Sequence, residues 1–318
     1  MIVSVVIPCY NVAKHIENVI SKIPDDITYI IAVNDCSTDE TYNILSCIAG
    51  KNKRLVCVHH ELNQGVGGAM ISGFQKAMEL NSDIAIKMDG DGQMDHSNIQ
   101  RLIKPVKDGV ADFSKGNRFR DFKALKSMPA FRRLGNLGLS FLIKAASGYW
   151  NVFDPTNGFI AISKETLSAI NFNKIHKRYF FESSLLIELY YADAVVVEIP
   201  MKAQYADERS NLSISRTLFE FPPKLFYAFM RRVVLKYFLF DFNIASLYIL
   251  FGLPVFLIGA VYGIVKYIKY ASHNTPAPTG TVVIPTLLII LGFQLLLSAA
   301  NYDVANYPKR NSFTIPVS

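Results

Sequence analysis

Two uncharged stretches near the end of the chain constrain its fold more than anything that precedes them. No charged residue occurs from Phe242 to Val265, and none again from Asn274 to Tyr302. Each stretch exceeds the roughly 20 residues that a helix needs to cross the hydrocarbon core of a bilayer. Gly252, Pro254, Gly259, Pro285 and Gly292 fall within them, and both residue types are commoner in membrane helices than in soluble ones. The other reading is a pair of buried helices in a soluble core. Long neighbouring helices apolar on every side, however, leave no polar stripe for water. Two membrane spans are therefore expected, at 242–268 and 280–303, with a tail from 304 to 318.

The composition agrees with apolar residues that are concentrated rather than spread. Of 318 residues, 51% are hydrophobic and 19% charged, and the mean hydropathy is +0.23. Those values exclude a disordered chain, a collagen and a small disulfide scaffold. The net charge is +7, and much of it flanks the spans. Lys224, Arg231, Arg232 and Lys236 precede the first, Lys309 and Arg310 follow the second, and the connecting loop holds only Lys266 and Lys269. By the positive-inside rule the large N-terminal part is expected in the cytoplasm, on a protein that crosses the cytoplasmic membrane twice. Met1 runs directly into strand-like residues without a basic segment or cleavage site, so no signal peptide is read. Cys9, Cys36, Cys47 and Cys57 form no CxxC and read as four buried thiols in a reducing compartment.

Residues 1–210 alternate strand and helix signals. Strands are expected at Val3–Pro8, Tyr29–Val33, Leu55–His59 and Ile84–Met88, with helices at Ala13–Ile23, Thr41–Ile48 and Ala69–Leu80 between them. Repeated βα units imply an α/β domain with a mostly parallel sheet and ligands at the carboxyl ends of its strands. Residues 211–241 differ, because apolar and basic side chains interleave there. Pro222-Pro223 is expected to split this segment into two short helices. A basic amphipathic stretch beside a span suits the headgroup plane, although a solvated face packed on the first domain has the same composition.

Asp89-Gly90-Asp91-Gly92-Gln93 carries the sharpest chemical signal. Two carboxylates one residue apart in a glycine-flexed turn can share a hard divalent cation, with Gln93 as a further oxygen ligand. Mg²⁺ favours one or two carboxylates plus phosphate oxygens and water, so such a site suits a diphosphate. An Asp-Gly turn also arises for conformational reasons alone. A calcium loop is excluded, since Met94 stands where glycine is needed and Gln100 where glutamate is needed. Asp35, after the second strand, can accept from the imide or amine of a nucleobase, or its cluster can simply cap a helix. Gly65-Val66-Gly67-Gly68 departs from G-x-G-x-x-G at Met70, which supports a tightly packed helix start better than a dinucleotide site.

Taken in order, these pieces are more specific than any one alone. Residues 5–11 (Val-Val-Ile-Pro-Cys-Tyr-Asn), 33–40 (Val-Asn-Asp-Cys-Ser-Thr-Asp-Glu), Asn63-Gln64-Gly65 and Asp89–Gln93 resemble family 2 glycosyltransferases of the GT-A fold. Gly116-Asn117-Arg118 and Asp154–Phe159 match later motifs of that family. The D-x-D-x-Q form, the basic helices and the paired spans look most like polyprenyl-phosphate (dolichyl-phosphate-type) glycosyltransferases. The resemblance implies a Rossmann-like GT-A domain in which Asp35 contacts the nucleobase, with Pro8, Tyr10, Asn11 and Gly65 in the same substrate site. It implies that Asp89, Asp91 and Gln93 hold Mg²⁺ or Mn²⁺ on the donor diphosphate. It also implies that Arg118 and Arg132 or Arg133 approach the phosphates, as guanidinium forks match phosphate oxygens. Arg132-Arg133 reads equally well as a solvated basic patch. Two departures stand out. Asn34 replaces the first acid of the family's usual Asp-Asp pair, and Asp207–Asn211 shifts the arginine of a later loop to Arg209, with Asn211 in place of lysine.

These readings predict an inverting, metal-dependent transfer of one sugar from a nucleotide-diphosphate sugar to a polyprenyl phosphate, with Asp91, Asp154 and Arg118 carrying the catalytic roles. A phosphate acceptor is already ionised at neutral pH and demands no strong general base. A sugar hydroxyl would demand one, and Asp154 and Glu182 are the candidates. Asp154 also reads as a turn residue before Pro155, and Glu182 as a carboxylate at a helix N-terminus. The alternatives are transfer to a hydroxyl of a lipid-linked saccharide and a membrane-bound sugar-nucleotide-binding protein without turnover. The expected partners are the nucleotide sugar, the lipid phosphate and the membrane. A homo-oligomer is allowed, and no nucleic acid is expected.

Overall fold

The computed structural model describes residues 1–119, 130–201 and 214–310. They form two compact units, Met1–Ala228 with the segment from Pro308 onward, and Phe229–Tyr307. In the first unit strands and helices alternate from the start: β1 (Val3–Cys9), α1 (Ile16–Ser21), β2 (Tyr29–Asn34), α2 (Thr41–Ala49), β3 (Leu55–His59) and α3 (Val66–Glu79). They continue as β4 (Ile84–Lys87), α4 (Ile99–Lys107), β5 (Phe113–Asn117), α5 (Ala130–Ser147), β6 (Ile160–Ser163), α6 (Lys164–Ala169), α7 (Phe181–Tyr191) and β7 (Val196–Pro200). The sheet has seven strands in the order β3-β2-β1-β4-β6-β5-β7. Only β6 runs against its neighbours; the other pairs are parallel. Six strands therefore end at one rim, and the loop that leads into β6 lies at that same rim.

Alternate strand residues face opposite layers, as the two-residue period of a strand requires. Val5, Ile7, Ile30, Ile86 and Ala161 form a core with Ile16 and Val19 of α1, Leu45 of α2 and Leu102 of α4. On the other face α3 lies so close that a Cβ on Gly73 would collide with Val6, and Met70, Phe74 and Ala77 of α3 are buried there. Strands covered on both faces read as near-continuous apolar runs rather than alternating ones, and Val-Val-Ile and Ile-Ile-Ala-Val have that form.

The proline pair does not divide the basic segment. One helix, α8 (Ile214–Val234), runs through both Pro222 and Pro223. An interior proline costs about 3 kcal/mol, and burial of Phe221 and Leu225, one turn apart, offsets it here. The Phe221 ring meets Phe180 edge-on with centroids 5.0 Å apart. The first compact unit accordingly runs on to Ala228. Other departures are smaller. The helix expected over 13–23 is confined to α1, and Cys47 is exposed on α2 while Cys36 and Cys57 are only half buried. All four thiols are free.

In the second unit one π-helical turn (Leu235–Phe240) precedes α9 (Ile244–Ser272) and α10 (Thr279–Ala305). These helices, 29 and 27 residues long, are apolar enough to cross a membrane and slightly longer than the expected spans. They pack as a hairpin because glycine lets the backbones meet. A Cβ on Gly259 would lie 2.7 Å from Leu288 Cβ, and one on Gly292 would collide with the Phe256 backbone. Small residues that admit close approach are the usual basis of helix association in lipid. At the end opposite the connecting loop, Arg232 donates to both carboxylate oxygens of Asp303 at 2.7 and 2.8 Å, and the Tyr237 hydroxyl donates to the same carboxylate at 2.5 Å. The Asn243 side chain caps α9 in a reciprocal capping box with Ser246.

Candidate active site

The rim gathers the loops that follow β1, β2, β3, β4 and β5. After β1, Asn11 takes the left-handed conformation at φ 55°, and its side-chain oxygen accepts from Thr38 N at 2.8 Å. Asn11 N donates to Ser37 Oγ, and Asp39 accepts from Ala13 N at 3.1 Å and Thr41 N at 3.0 Å. The first two loops are thus tied into one surface. Tyr10 leaves its ring exposed on it, whereas Pro8, in register with Val33, stays within the sheet.

Asp35 is 2% exposed, and both of its carboxylate oxygens are already engaged. Oδ1 meets His60 Nδ1 at 2.7 Å and Gln64 N at 2.8 Å, and Oδ2 accepts from Gly65 N at 2.7 Å. His60 Nε2 is in turn 2.8 Å from Ser72 Oγ on α3. Asp35 therefore anchors the loop after β3 to the end of β2. Gly65, at φ 84°, must be glycine for two reasons: its conformation, and the Lys177 carbonyl 2.7 Å from where a Cβ would sit. The glycine cluster is a tightly packed helix start, and the Gly65 amide serves Asp35.

After β4, Asp89 and Asp91 stand on one turn, with Gly92 at φ 76°. Gln93 N donates to Asp91 Oδ1 at 3.0 Å. Asp89 Oδ1 is 2.6 Å from Lys87 Nζ, and Glu182 Oε1, from the first turn of α7, is 3.7 Å from the same nitrogen. Lys87 is 1% exposed. Burial alone would lower its pKa, but Asp89 and Glu182 outweigh it and raise the pKa above the usual value. Burial pushes the Glu182 carboxyl above its usual range despite Lys87, whose charge Asp89 shares at closer range. Gly158 is squeezed against these groups, so that a Cβ there would collide with Lys87 Nζ.

A second cluster lies across β6. Arg118 grips Asp154 in a fork, Nε to Oδ2 at 2.8 Å and Nη2 to Oδ1 at 3.0 Å, and its backbone amide adds a third bond at 3.1 Å. Burial would raise the Asp154 pKa, but the Arg118 bonds and charge, with Lys115, hold it below the ordinary carboxylate range. Lys115 Nζ donates to the Asp154 carbonyl at 2.5 Å, and burial pushes its pKa down to about 8. Glu198 of β7 accepts from Phe153 N and Asp154 N, both at 2.8 Å, and from Asn117 Nδ2 at 2.5 Å. Burial raises the Glu198 pKa.

The structure thus brings Asp89, Asp91, Gln93, Arg118, Asp154 and Glu182 to one rim. Arg209 lies outside the described residues, as do the side chains of Arg132 and Arg133 on α5. Lys87, Lys115 and Glu198 were not singled out from sequence. The available signal was a charged residue inside an otherwise apolar strand, as in Ile-Ala-Ile-Lys and Val-Val-Glu-Ile. Among the described residues no three His, Cys, Asp or Glu converge to cage a metal by themselves. A divalent ion on Asp89 and Asp91 would complete its shell with Gln93, water and phosphate oxygens, which suits Mg²⁺ or Mn²⁺.

Known proteins resemble this chain in sequence and in fold. A UDP-N-acetylglucosamine--dolichyl-phosphate N-acetylglucosaminyltransferase of Methanococcus voltae is 34% identical over 219 residues, spanning 65% of this chain and 87% of that protein. An undecaprenyl-phosphate mannosyltransferase of Micrococcus luteus is 26% identical over 204 residues, spanning 63% and 83%. The fold is shared with mannosyl-3-phosphoglycerate synthase from Rubrobacter xylanophilus, at a TM-score of 0.56 and 16% identity over 76% of this chain and 77% of that one. Residues 4–170 match the family model described as Glycosyl transferase family 2. With its acidic turn at the carboxyl rim of a mostly parallel sheet, the chain belongs to that family of glycosyltransferases.

Proposed function

We propose that this enzyme transfers a sugar, with inversion, from a nucleotide-diphosphate sugar to a polyprenyl phosphate at the cytoplasmic face of the membrane. The observation that carries the acceptor assignment is the state of Asp154. Its carboxylate is held by Arg118 on both oxygens and kept below the ordinary carboxylate range, so it is a poor base. An acceptor that arrives as a phosphate anion needs none. The two relatives described above carry dolichyl phosphate and undecaprenyl phosphate in their names, and two helices of membrane-spanning length follow the first unit.

In this reading Asp89, Asp91 and Gln93 hold the metal. When bound, the ion neutralises charge that develops on the departing nucleoside diphosphate. Tyr10 offers an exposed ring on which a base can stack. The β1 loop that carries it is tied to the β2 loop through Asn11, Ser37 and Asp39. Lys87 holds Asp89 through Oδ1. Arg118, locked against Asp154, brings a cation to the rim where two phosphate groups must approach each other.

One observation favours a hydroxyl acceptor instead: burial raises Glu182 towards the range of a general base. The deciding experiment offers the full-length protein in detergent a set of nucleotide sugars with either a polyprenyl phosphate or a lipid-linked saccharide. The lipid product is read by mass spectrometry for wild type and Glu182→Gln. Glycosylated polyprenyl phosphate, formed by both proteins, is the expected result. Product only on a saccharide hydroxyl, abolished in Glu182→Gln, would establish the other reading.

A further inference from the structure

The two membrane helices touch along most of their length but part near the connecting loop. Towards that loop Gly263 faces Pro285, and a Cβ on the glycine would lie 3.3 Å from Pro285 Cβ. Beyond it a cleft of about 590 Å³ opens between α9 and α10. Gly263, Pro285 and Ile289 form its inner end, and Lys266, Tyr270 and Asn274 its outer end. The volume is that of a small-molecule site.

Position along the helix says what fills it. At roughly 1.5 Å per residue, about 33 Å of helix separates Ile244 from Lys266, which matches the roughly 30 Å hydrocarbon core. The capped start of α9, beside the Arg232–Asp303 pair, marks one interface, and Lys266 then reaches the opposite one. Tyr262, Tyr267 and Tyr270 surround that level, as aromatic side chains do at a membrane surface. The cleft is therefore graded, cationic and polar at headgroup depth and apolar below. Lys266 is half buried in it, whereas Lys269 is exposed and outside it. A gap of this size within a bilayer cannot stay empty without forfeiting contacts on every wall. Water suits the polar mouth but not the Pro285–Ile289 end, where the one hydroxyl, of Thr286, already donates to the Val282 carbonyl at 2.8 Å.

We propose that this cleft is a binding site for one anionic glycerophospholipid of the bilayer, with its phosphate at Lys266 and an acyl chain seated against Gly263, Pro285 and Ile289. The site lies at the far interface from the capped end of the hairpin. It follows from the hairpin alone and holds whichever acceptor the enzyme uses.

The test uses the full-length protein in nanodiscs of phosphatidylcholine with a minor fraction of phosphatidylglycerol, followed by detergent extraction and native mass spectrometry of the retained lipid. Wild type is expected to keep one phosphatidylglycerol with about fivefold preference over its share of the disc, the attraction of a single lysine for an anionic surface. Lys266→Gln should abolish the preference, Lys266→Arg should keep it, and Lys269→Gln should leave it unchanged. Thr286→Trp, which fills the cleft from α10, should expel the lipid while the protein remains monodisperse. Equal loss in Lys266→Gln and Lys269→Gln would reduce the effect to general surface charge and overturn the site. Retention without headgroup preference, or a dimer that Thr286→Trp breaks, would also overturn it, the latter by assigning the cleft to a second copy of the chain.

Discussion

Lys87 and Lys115 lie level with one another across the sheet, each in register with Ile160 of the antiparallel strand between them. Both are fully buried, and each holds a different part of the rim, Lys87 the Asp89 carboxylate and Lys115 the carbonyl of Asp154. Two cations placed side by side under an acidic rim are costly to bury. Asp89, Glu182, Asp154 and Glu198 offset that cost. The antiparallel insertion of β6 is what sets this spacing, because it separates β4 from β5 by one strand.

Stability should depend on pH through Lys115. Its pKa is about 8 in the folded chain against an ordinary 10.5. Between those values the unfolded chain binds more protons than the folded one, so this group's contribution rises with pH across the window and is least favourable below pH 8. The gain reaches about 3 kcal/mol at most. Unfolding of wild type and Lys115→Met at a series of pH values isolates the effect. A stability difference that stays flat from pH 8 to 10.5 would mean that Lys115 keeps its ordinary pKa.

Asp91→Asn is expected to slow transfer roughly a thousandfold, the several kcal/mol that a metal on a leaving diphosphate supplies. The amide keeps the shape and removes the charge, so folding and membrane insertion should be unaffected. Mn²⁺ affinity measured by electron paramagnetic resonance in the presence of nucleotide should fall together with the rate. Wild-type rates in excess Mg²⁺ or Mn²⁺ would remove the metal from the mechanism.

For Asp154→Asn the outcome is mainly structural. The variant leaves Arg118 without the carboxylate that fixes it and should cost about 2–3 kcal/mol, below the 3–5 of a fully buried pair because the guanidinium can reach water. Transfer should slow modestly, with the acceptor KM moving more than kcat. A kcat loss as large as that of Asp91→Asn would reinstate Asp154 as a general base.

Soluble fragments should behave differently according to where they end. Phe221 and Leu225 are buried in the first unit, and Phe180 packs on Phe221. A fragment 1–228 retains them. One ending at 210 loses about 1.5–3 kcal/mol for each and exposes Phe180. Thermal melts of the two fragments compare the cuts directly, and equal Tm values would show that α8 adds nothing to the first unit.

Gly292→Leu should separate the hairpin, since any side chain there meets the Phe256 backbone. Overpacking of this kind costs about 1–3 kcal/mol. Disulfide trapping between cysteines introduced at Gly263 and Pro285, whose Cβ positions lie 3.3 Å apart, should fall sharply in the variant, and unchanged trapping would show that the helices can shift to make room.

Much of the fold was legible because its signals are local. Strand–helix alternation, the acidic turn after β4 and the uncharged runs each sit within a few neighbouring residues. What escaped was set by distant partners. Ile160–Ser163 is short and apolar, and nothing in such a run states its direction. The resemblance implies a nucleobase contact for Asp35, but its bonds to His60, Gln64 and Gly65, which fold back from the loop after β3, have no counterpart in the local sequence. The complete burial of Lys87 and Lys115 escaped as well, because burial on both faces of a sheet is a property of the layers that cover it. Pro222-Pro223 carried a strong local signal for a break, and the tertiary burial of Phe221 and Leu225 overrode it.

The Arg232–Asp303 pair bears on how this protein could be taken apart and reused. An acidic side chain carried into a membrane costs up to about 3 kcal/mol at a helix centre and less near its end. Here the arginine that relieves the cost is synthesised well before the second helix and waits for it. A graft that begins at Phe242 would transplant both helices but leave Asp303 to find another cation. The portable anchor starts at Phe229, with its own counter-charge built in.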